Sequence, residues 1–277
     1  MEYLDACFPY IKEAAINEDG DVWMLPVYID VPCLIYNERL CGENSIDFSK
    51  PMDYAGFIEM LLEKKRDSKT NDLISISGYF LNQIALHQYL RDYDSFESTL
   101  FEDYAVRMKD LIDYERKADD WFANNNYYLD IFSGNNYEFL FFGLRDYDLQ
   151  LELHSDEVRA SQLPILTGND SSVAICTFLC VNPASKQLDD TLDYISSLCE
   201  YIMEYSYEKT MLFKDRSLYP DNSYYDDLYG IYSNADIRFT SPSDLYYNDY
   251  LKYLDDELSL EEFIRLANRK LDIYRNE

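Results

Sequence analysis

Residues Gly20 to Asn37, GDVWMLPVYIDVPCLIYN, decide how this chain is read. They run as a turn, a strand, a proline and a second extended run closing on Tyr36-Asn37. Val22, Trp23, Met24, Leu25, Val27, Tyr28, Ile29 and Val31 are aliphatic, aromatic or β-branched. A run this nearly continuous predicts a strand buried on both faces. Asp30 interrupts it. A carboxylate in a buried strand is costly unless something pairs with it. Asp30 therefore either ends the strand in water, capping a turn, or is held there against a partner.

Composition sets the outer limits. A chain of 277 residues can bury a substantial core in one or two domains. With 47% hydrophobic and 16% aromatic residues it is not a disordered chain. The net charge of −29 argues against nucleic acid or an anionic membrane as a direct partner, because both repel it. It suits a soluble protein of an extracellular layer, or simply an acidic lineage. Cys7, Cys33, Cys41, Cys176, Cys180 and Cys199 show no metal-ligand spacing and make no disulfide scaffold. They read as small buried hydrophobes. His87 and His154 stand apart from each other and from any cysteine. No phosphate-binding glycine loop, Gly-x-Ser-x-Gly or EF-hand loop is present, so neither metal nor cofactor is expected. Carboxylates are too numerous for a glycosidase pair to be dismissed by count, but spacing places none. The opening residues lack the basic start and apolar core of a signal. The longest apolar run, Ala174 to Val181, is too short to span a membrane. These residues alone read as a cytoplasmic protein.

Outward from the opening stretch, Pro9 to Ala15 reads as a short helix and Asn17 to Asp21 as a turn. Asp53 is placed to cap a helix running through Phe57, Met60 and Leu61 to about Arg66. Gly56 sits where a better helix former is expected. Leu73 to Phe80, LISISGYF, alternates and predicts a strand. Thr99 to about Ala118 predicts a helix. Thr99 and Glu102 form its capping box, and Phe101, Tyr104, Ala105, Met108, Leu111 and Ile112 form one face. Trp121-Phe122 reads as core. Ser185 to about Glu204 is a helix with Leu188, Leu192, Ile195, Leu198 and Ile202 on one side. Tyr219, Tyr224, Tyr225, Tyr229 and Tyr232 crowd an Asp- and Asn-rich stretch that reads as loops. Ser259 and Glu262 box the last helix, and Leu258 and Phe263 staple it.

The order of these motifs resembles the extracellular solute-binding proteins of ABC importers, in the sugar-binding branch that includes maltose-binding protein. Gly20, Pro26, Asp30 and Tyr36-Asn37 match its first crossing between lobes. Pro51-Met52-Asp53-Tyr54 follows, then Phe132-Ser133-Gly134 with Gly143, Leu163-Pro164, the return run ending at Asn182, and the closing helix. The resemblance implies a two-lobed, type II periplasmic-binding-protein-like α/β fold with an incomplete first lobe. Leu4 to Ala15 matches a mid-lobe helix, so the N-terminal part of the family pattern is absent from this stretch. Lobe one would comprise residues 1–29 and 179–233, and lobe two residues 30–178 and 234–277. Val22 to Val27 and Ile175 to Val181 would lie side by side as the crossing strands.

The same resemblance implies a function and a site. The function is capture of a small solute, a sugar or sugar acid, between hinged lobes for delivery to an ABC importer permease. The protein would be a monomer, extracellular and lipid-anchored in its full-length form, and not an enzyme. Asp30 would point into the ligand cleft and Tyr79 would stack on the ligand, with Trp23, Tyr28 and Tyr246 beside them. Arg145 falls where a stacking tryptophan is usual. Its planar fork favours an acidic or mixed ligand over a neutral maltodextrin. Read as residues alone, Tyr79 is equally a core tyrosine, and Arg145 a surface arginine paired with Asp146 or Asp148. A glycoside-acting enzyme with an acidic pair, or a truncated remnant that binds nothing, are the alternative functions.

Overall fold

The computed structural model describes residues 2–48, 52–67, 74–75, 78–117, 139–142, 157–167, 171–182, 184–205, 211–237 and 245–276. In chain order the elements are α1 (Glu2–Ala6), α2 (Pro9–Ala15), β1 (Leu25–Asp30), β2 (Cys33–Asn37), α3 (Glu38–Glu43), α4 (Tyr54–Arg66), β3 (Ile74–Ser75) and α5 (Gly78–Asp92). Then come α6 (Thr99–Lys117), β4 (Phe139–Phe142), β5 (Val158–Gln162), β6 (Ser172–Val173), β7 (Ile175–Leu179), α7 (Leu188–Tyr205), α8 (Ser223–Ser233), β8 (Ala235–Asp236), α9 (Tyr247–Leu254) and α10 (Leu260–Asn276). The chain divides into two compact units. Unit one is Met1–Ile35, Phe142–Gln162 and Ser171–Arg238, and unit two is Tyr36–Phe141, Leu163–Asp170 and Phe239–Glu277.

In unit one, β1 and β7 pair antiparallel, with Leu25 opposite Leu179 and Asp30 opposite Ile175. The two apolar runs expected side by side are so paired, although the first strand opens at Leu25. Val22 instead bridges to Ile16. Pro26 lies inside β1 and has no N–H to give to the ladder. The register slips between Pro26 and Tyr28, which is how a strand absorbs a proline. Burial on both faces does not hold for this pair. Val22, Trp23, Ile175 and Leu179 are exposed, whereas Ile29 and Val31 are buried. The reason is that β1 and β7 form a sheet of two strands, with one face left open. The continuous burial appears one strand later, along β2 from Cys33 to Tyr36.

The tyrosine-rich stretch read as loops is largely helical. Asn222 Oδ1 accepts the Tyr225 N–H at 2.9 Å and caps α8. Tyr224, Tyr225, Leu228, Ile231 and Tyr232 are its buried residues. The Asp and Asn residues interspersed there hide an i, i+4, i+7 apolar stripe.

In unit two, among the described residues of the expected strand from Leu73 to Phe80, Ile74–Ser75 form a strand, which pairs parallel with Phe139 and Leu140 of β4. Gly78 opens α5 instead. Along α5, Leu81, Asn82, Ile84, Ala85, Leu86, Gln88, Tyr89 and Leu90 are all buried. A helix buried all round shows no 3.6-residue alternation to read. The helix read from Thr99 is present, with its cap one residue earlier. Ser98 Oγ, not Thr99, accepts the Phe101 N–H, at 3.1 Å. The last helix has the capping box as read: Ser259 Oγ accepts the Glu262 N–H at 3.1 Å, and Glu262 Oε2 accepts the Ser259 N–H at 3.2 Å. Trp121-Phe122 and Phe132 to Gly134 lie outside the described residues.

Asp53 caps α4, its Oδ1 accepting the Gly56 N–H at 2.7 Å. This also explains the glycine. A Cβ at Gly56 would sit 3.2 Å from that same Asp53 oxygen. Asp53→Ala is expected to cost about 1 kcal/mol. Gly56→Ala should fail to give the ~1 kcal/mol that replacing a helical glycine normally gives. In the Asp53→Ala background the gain should reappear. Urea unfolding of the three variants checks this, and a gain from Gly56→Ala alone would show that the contact is unimportant.

Candidate functional site

Trp23, Tyr28 and Asp30 sit on one short segment of unit one. The Trp23 N–H donates to the Ala15 carbonyl at 3.1 Å, which ties the backbone to the end of α2. The residue is left 50% exposed. Tyr28 and Asp30 are two residues apart on β1 and so share a face, while Ile29 between them points into the core. Both are half-buried. The Tyr3 hydroxyl donates to the Pro26 carbonyl at 2.7 Å and fixes the bulged turn of the strand from behind.

A second layer supports Asp30. The Tyr232 hydroxyl accepts the Val31 N–H at 3.2 Å. Tyr232 stands on α8, and α8 is locked to β5 by a two-pronged ion pair. Arg159 Nε and Nη2 reach Asp227 Oδ2 and Oδ1 at 2.6 and 2.8 Å, and the Ala160 N–H adds a third bond at 3.1 Å. Bidentate geometry of this kind restricts orientation as well as adding energy. Asp227 and Arg159 were not singled out in the sequence, and Tyr232 was read only as part of a loop. Contacts 201 and 68 residues apart leave no local signal.

The electrostatics of this corner are one-sided. Burial above all, and then the Asp30 carboxylate, push the Tyr232 phenol well above its usual range. Burial, then Asp30 and Asp227, do the same to the Cys33 thiol. Both groups stay protonated near neutral pH. Cys33 is therefore no thiolate nucleophile, since reactive cysteines sit in electropositive surroundings that lower their pKa. An acceptor carboxylate on the same strand face as a half-buried ring matches the needs of a polyhydroxylated ligand, whose hydroxyls donate and whose apolar face packs on aromatic carbon.

Three other residues were singled out. Tyr79 lies in the first turn of α5, in unit two. Arg145 lies outside the described residues. Tyr246 is 1% exposed, with its ring centroid 5.4 Å from that of Phe96. It belongs to the aromatic core of unit two, and burial raises its phenol pKa. Among the described residues no group of His, Cys, Asp or Glu is arranged to hold a metal ion, and no helix is long and apolar enough to cross a membrane.

The fold is the periplasmic-binding-protein-like α/β fold found in sugar-binding proteins of ABC transporters. Maltose-bound MalE3 of T. maritima superposes with a TM-score of 0.67 at 12% identity, covering 99% of this chain and 78% of its own. A sugar transporter from Bacillus licheniformis in complex with stachyose gives 0.65 at 13% identity, covering 98% and 78%. A binding protein from Bacillus subtilis in an open conformation gives 0.66 at 15% identity, covering 100% and 78%. No protein-family model and no curated protein sequence matches the chain.

Proposed function

We propose that this protein is the solute-binding component of an ABC importer and that it captures a carbohydrate. The observation that carries the reading is Tyr28 and Asp30 on one face of β1, with the exposed Trp23 ahead of the strand, on a fold shared with proteins solved with maltose and stachyose bound. Asp30, Trp23 and Tyr28 read the ligand from unit one, and Tyr79 and Arg145 complete the set. Arg145 directs the preference toward an acidic or mixed sugar. The partner is a membrane permease. The protein acts outside the cell, lipid-anchored in its full-length form, and as a monomer. It has no hydrolytic activity, and aryl glycosides incubated with it should yield no free phenol.

A ligand that binds only the folded state stabilises it. At ten times its dissociation constant the gain is about 1.4 kcal/mol. Melting curves against maltose, stachyose, mannotriose and a series of uronic acids should therefore show an upward shift for at least one, saturating with concentration. Flat curves across neutral and acidic oligosaccharides alike would overturn the reading. Phenol release from an aryl glycoside, lost on removing one carboxylate, would move the protein to the enzyme class.

A further inference from the structure

The core of unit two contains polar atoms that no protein group pairs with. Tyr54 on α4, Asn82 on α5, Tyr104 on α6 and Tyr250 on α9 are all buried. The Tyr104 hydroxyl donates to Asn82 Oδ1 at 2.7 Å, which uses one end of the amide. Asn82 Nδ2, Tyr54 Oη and Tyr250 Oη have no hydrogen-bond partner among the described residues. Turning the amide over would only exchange its nitrogen for its oxygen as the end left over. Polar groups are costly to bury dry, and native cores leave few of them so. These three gather around one hydroxyl. The Tyr54 ring meets the Tyr104 ring edge-on, with centroids 5.5 Å apart. Tyr250 lies against the same stretch of α6. Its ring is 6.4 Å from that of Phe101, about one turn before Tyr104. One turn further along α9, the Tyr253 hydroxyl donates to the Ala105 carbonyl at 3.3 Å. Burial above all, and then Tyr250 and Tyr54, push the Tyr104 phenol well above its usual range.

We propose that Tyr54, Asn82 and Tyr250 together bind one internal water molecule beside the Tyr104 hydroxyl. The chemistry of the set selects water. The Asn82 amide is neutral, and burial raises the phenols of Tyr54 and Tyr250, so both stay protonated. An ion finds no countercharge among these groups. A neutral molecule that both donates and accepts suits them. It accepts from the Asn82 amide and exchanges hydrogen bonds with the two phenols, each of which can give or take one. Internal waters make about three hydrogen bonds to otherwise unpaired groups, which matches the three atoms on offer. The surroundings are packed rings, with Phe101 also buried and its centroid 6.2 Å from that of Tyr104. One heavy atom is the smallest ligand that meets the need. The water ties α4, α5 and α9 to α6, and it accounts for tyrosine rather than phenylalanine at Tyr54 and Tyr250. The site lies wholly in unit two and holds whether or not the ligand of the protein is a sugar.

The test joins a crystal structure of the protein, at a resolution that shows ordered water, to melting curves of Tyr54→Phe, Tyr250→Phe and the double variant. Density for one water is expected within about 3.2 Å of Asn82 Nδ2 and of at least one of the two phenol oxygens. Each single variant keeps the ring and removes one bond to the water. It should lower the melting temperature by about 2–4 °C. The loss in the double variant should be smaller than the two single losses together, because both hydroxyls hold the same water. A melting temperature that stays level or rises in either single variant overturns the proposal, since that hydroxyl would have been buried dry and its removal a relief. Additive losses overturn it too, because they mean that the hydroxyls have separate partners. So does a map with no density between the three atoms, with an ion there, or with the three atoms bonded directly to protein groups.

Discussion

Phe101→Ala is expected to cost about 3–5 kcal/mol of folding stability. The ring is fully buried in unit two, with neighbours on every side. Its centroid lies 4.7 Å from Phe96, 5.2 Å from Tyr89, 5.9 Å from Phe263 and 6.4 Å from Tyr250. These rings come from α5, α6, α9, α10 and the turn before α6, so one side chain joins four helices. Removing it forfeits the transfer free energy of the ring and leaves a cavity that rigid aromatic neighbours fill poorly. Each aromatic pair adds about 0.5–1.5 kcal/mol beyond area burial. Phe101→Leu keeps most of the volume and should cost less than half as much. Urea unfolding followed by near-ultraviolet circular dichroism is the measurement. A loss under about 1 kcal/mol for the alanine variant would mean that the cluster reorganises freely, which close packing does not allow.

Phe101 was legible in the sequence because α6 has one wet face and one dry face. Polar residues between Phe101, Tyr104, Met108 and Leu111 leave the 3.6-residue period intact. The same reasoning misplaced α5 for a physical reason. Water touches so little of it that selection had no need to alternate polar and apolar side chains, and its first residues pass for a strand. Tyr224 to Tyr232 failed in the opposite sense. Their stripe is present, but tyrosine carries both an apolar body and a polar tip, and acidic neighbours made it look solvated. At the candidate site, Tyr28 and Asp30 were legible because they share one strand with Pro26, and Trp23 because it stands just ahead of that strand. The supports were not. Tyr232 beneath Val31, and the Arg159–Asp227 lock that holds α8, join residues far apart in the chain. Exposure is the hardest property to read. The apolar runs of β7 and α7 look like core in sequence, and whether they are covered depends on what packs against them.

Asp30→Ala is expected to weaken carbohydrate binding about a hundredfold, or roughly 2.7 kcal/mol. Hydrogen bonds to a charged group contribute about 1.5–3 kcal/mol each, and a half-buried carboxylate can accept from two sugar hydroxyls at once. Asp30→Asn keeps the shape and one acceptor but loses the charge, and should fall between the alanine variant and wild type. Trp23→Ala tests the exposed ring ahead of the strand separately, and the two losses should not add if both groups hold the same ligand. Stability must be followed beside affinity. The β1–β7 pairing is made by backbone atoms, and so does not depend on this side chain. The Asp30 charge raises the pKa of Tyr232 and of Cys33, after burial has already raised both. Removing it lowers those values toward normal but leaves both groups protonated in the folded and unfolded states near neutral pH. No protons are then exchanged on unfolding at either group. The stability difference between wild type and Asp30→Asn should be about 1 kcal/mol or less. It should also stay flat between about pH 6 and pH 7.5. Titration calorimetry gives the affinities and urea unfolding the stabilities. Unchanged affinity in Asp30→Ala, with the fold intact, would remove Asp30 from the site and leave its carboxylate as a strand-end group facing water.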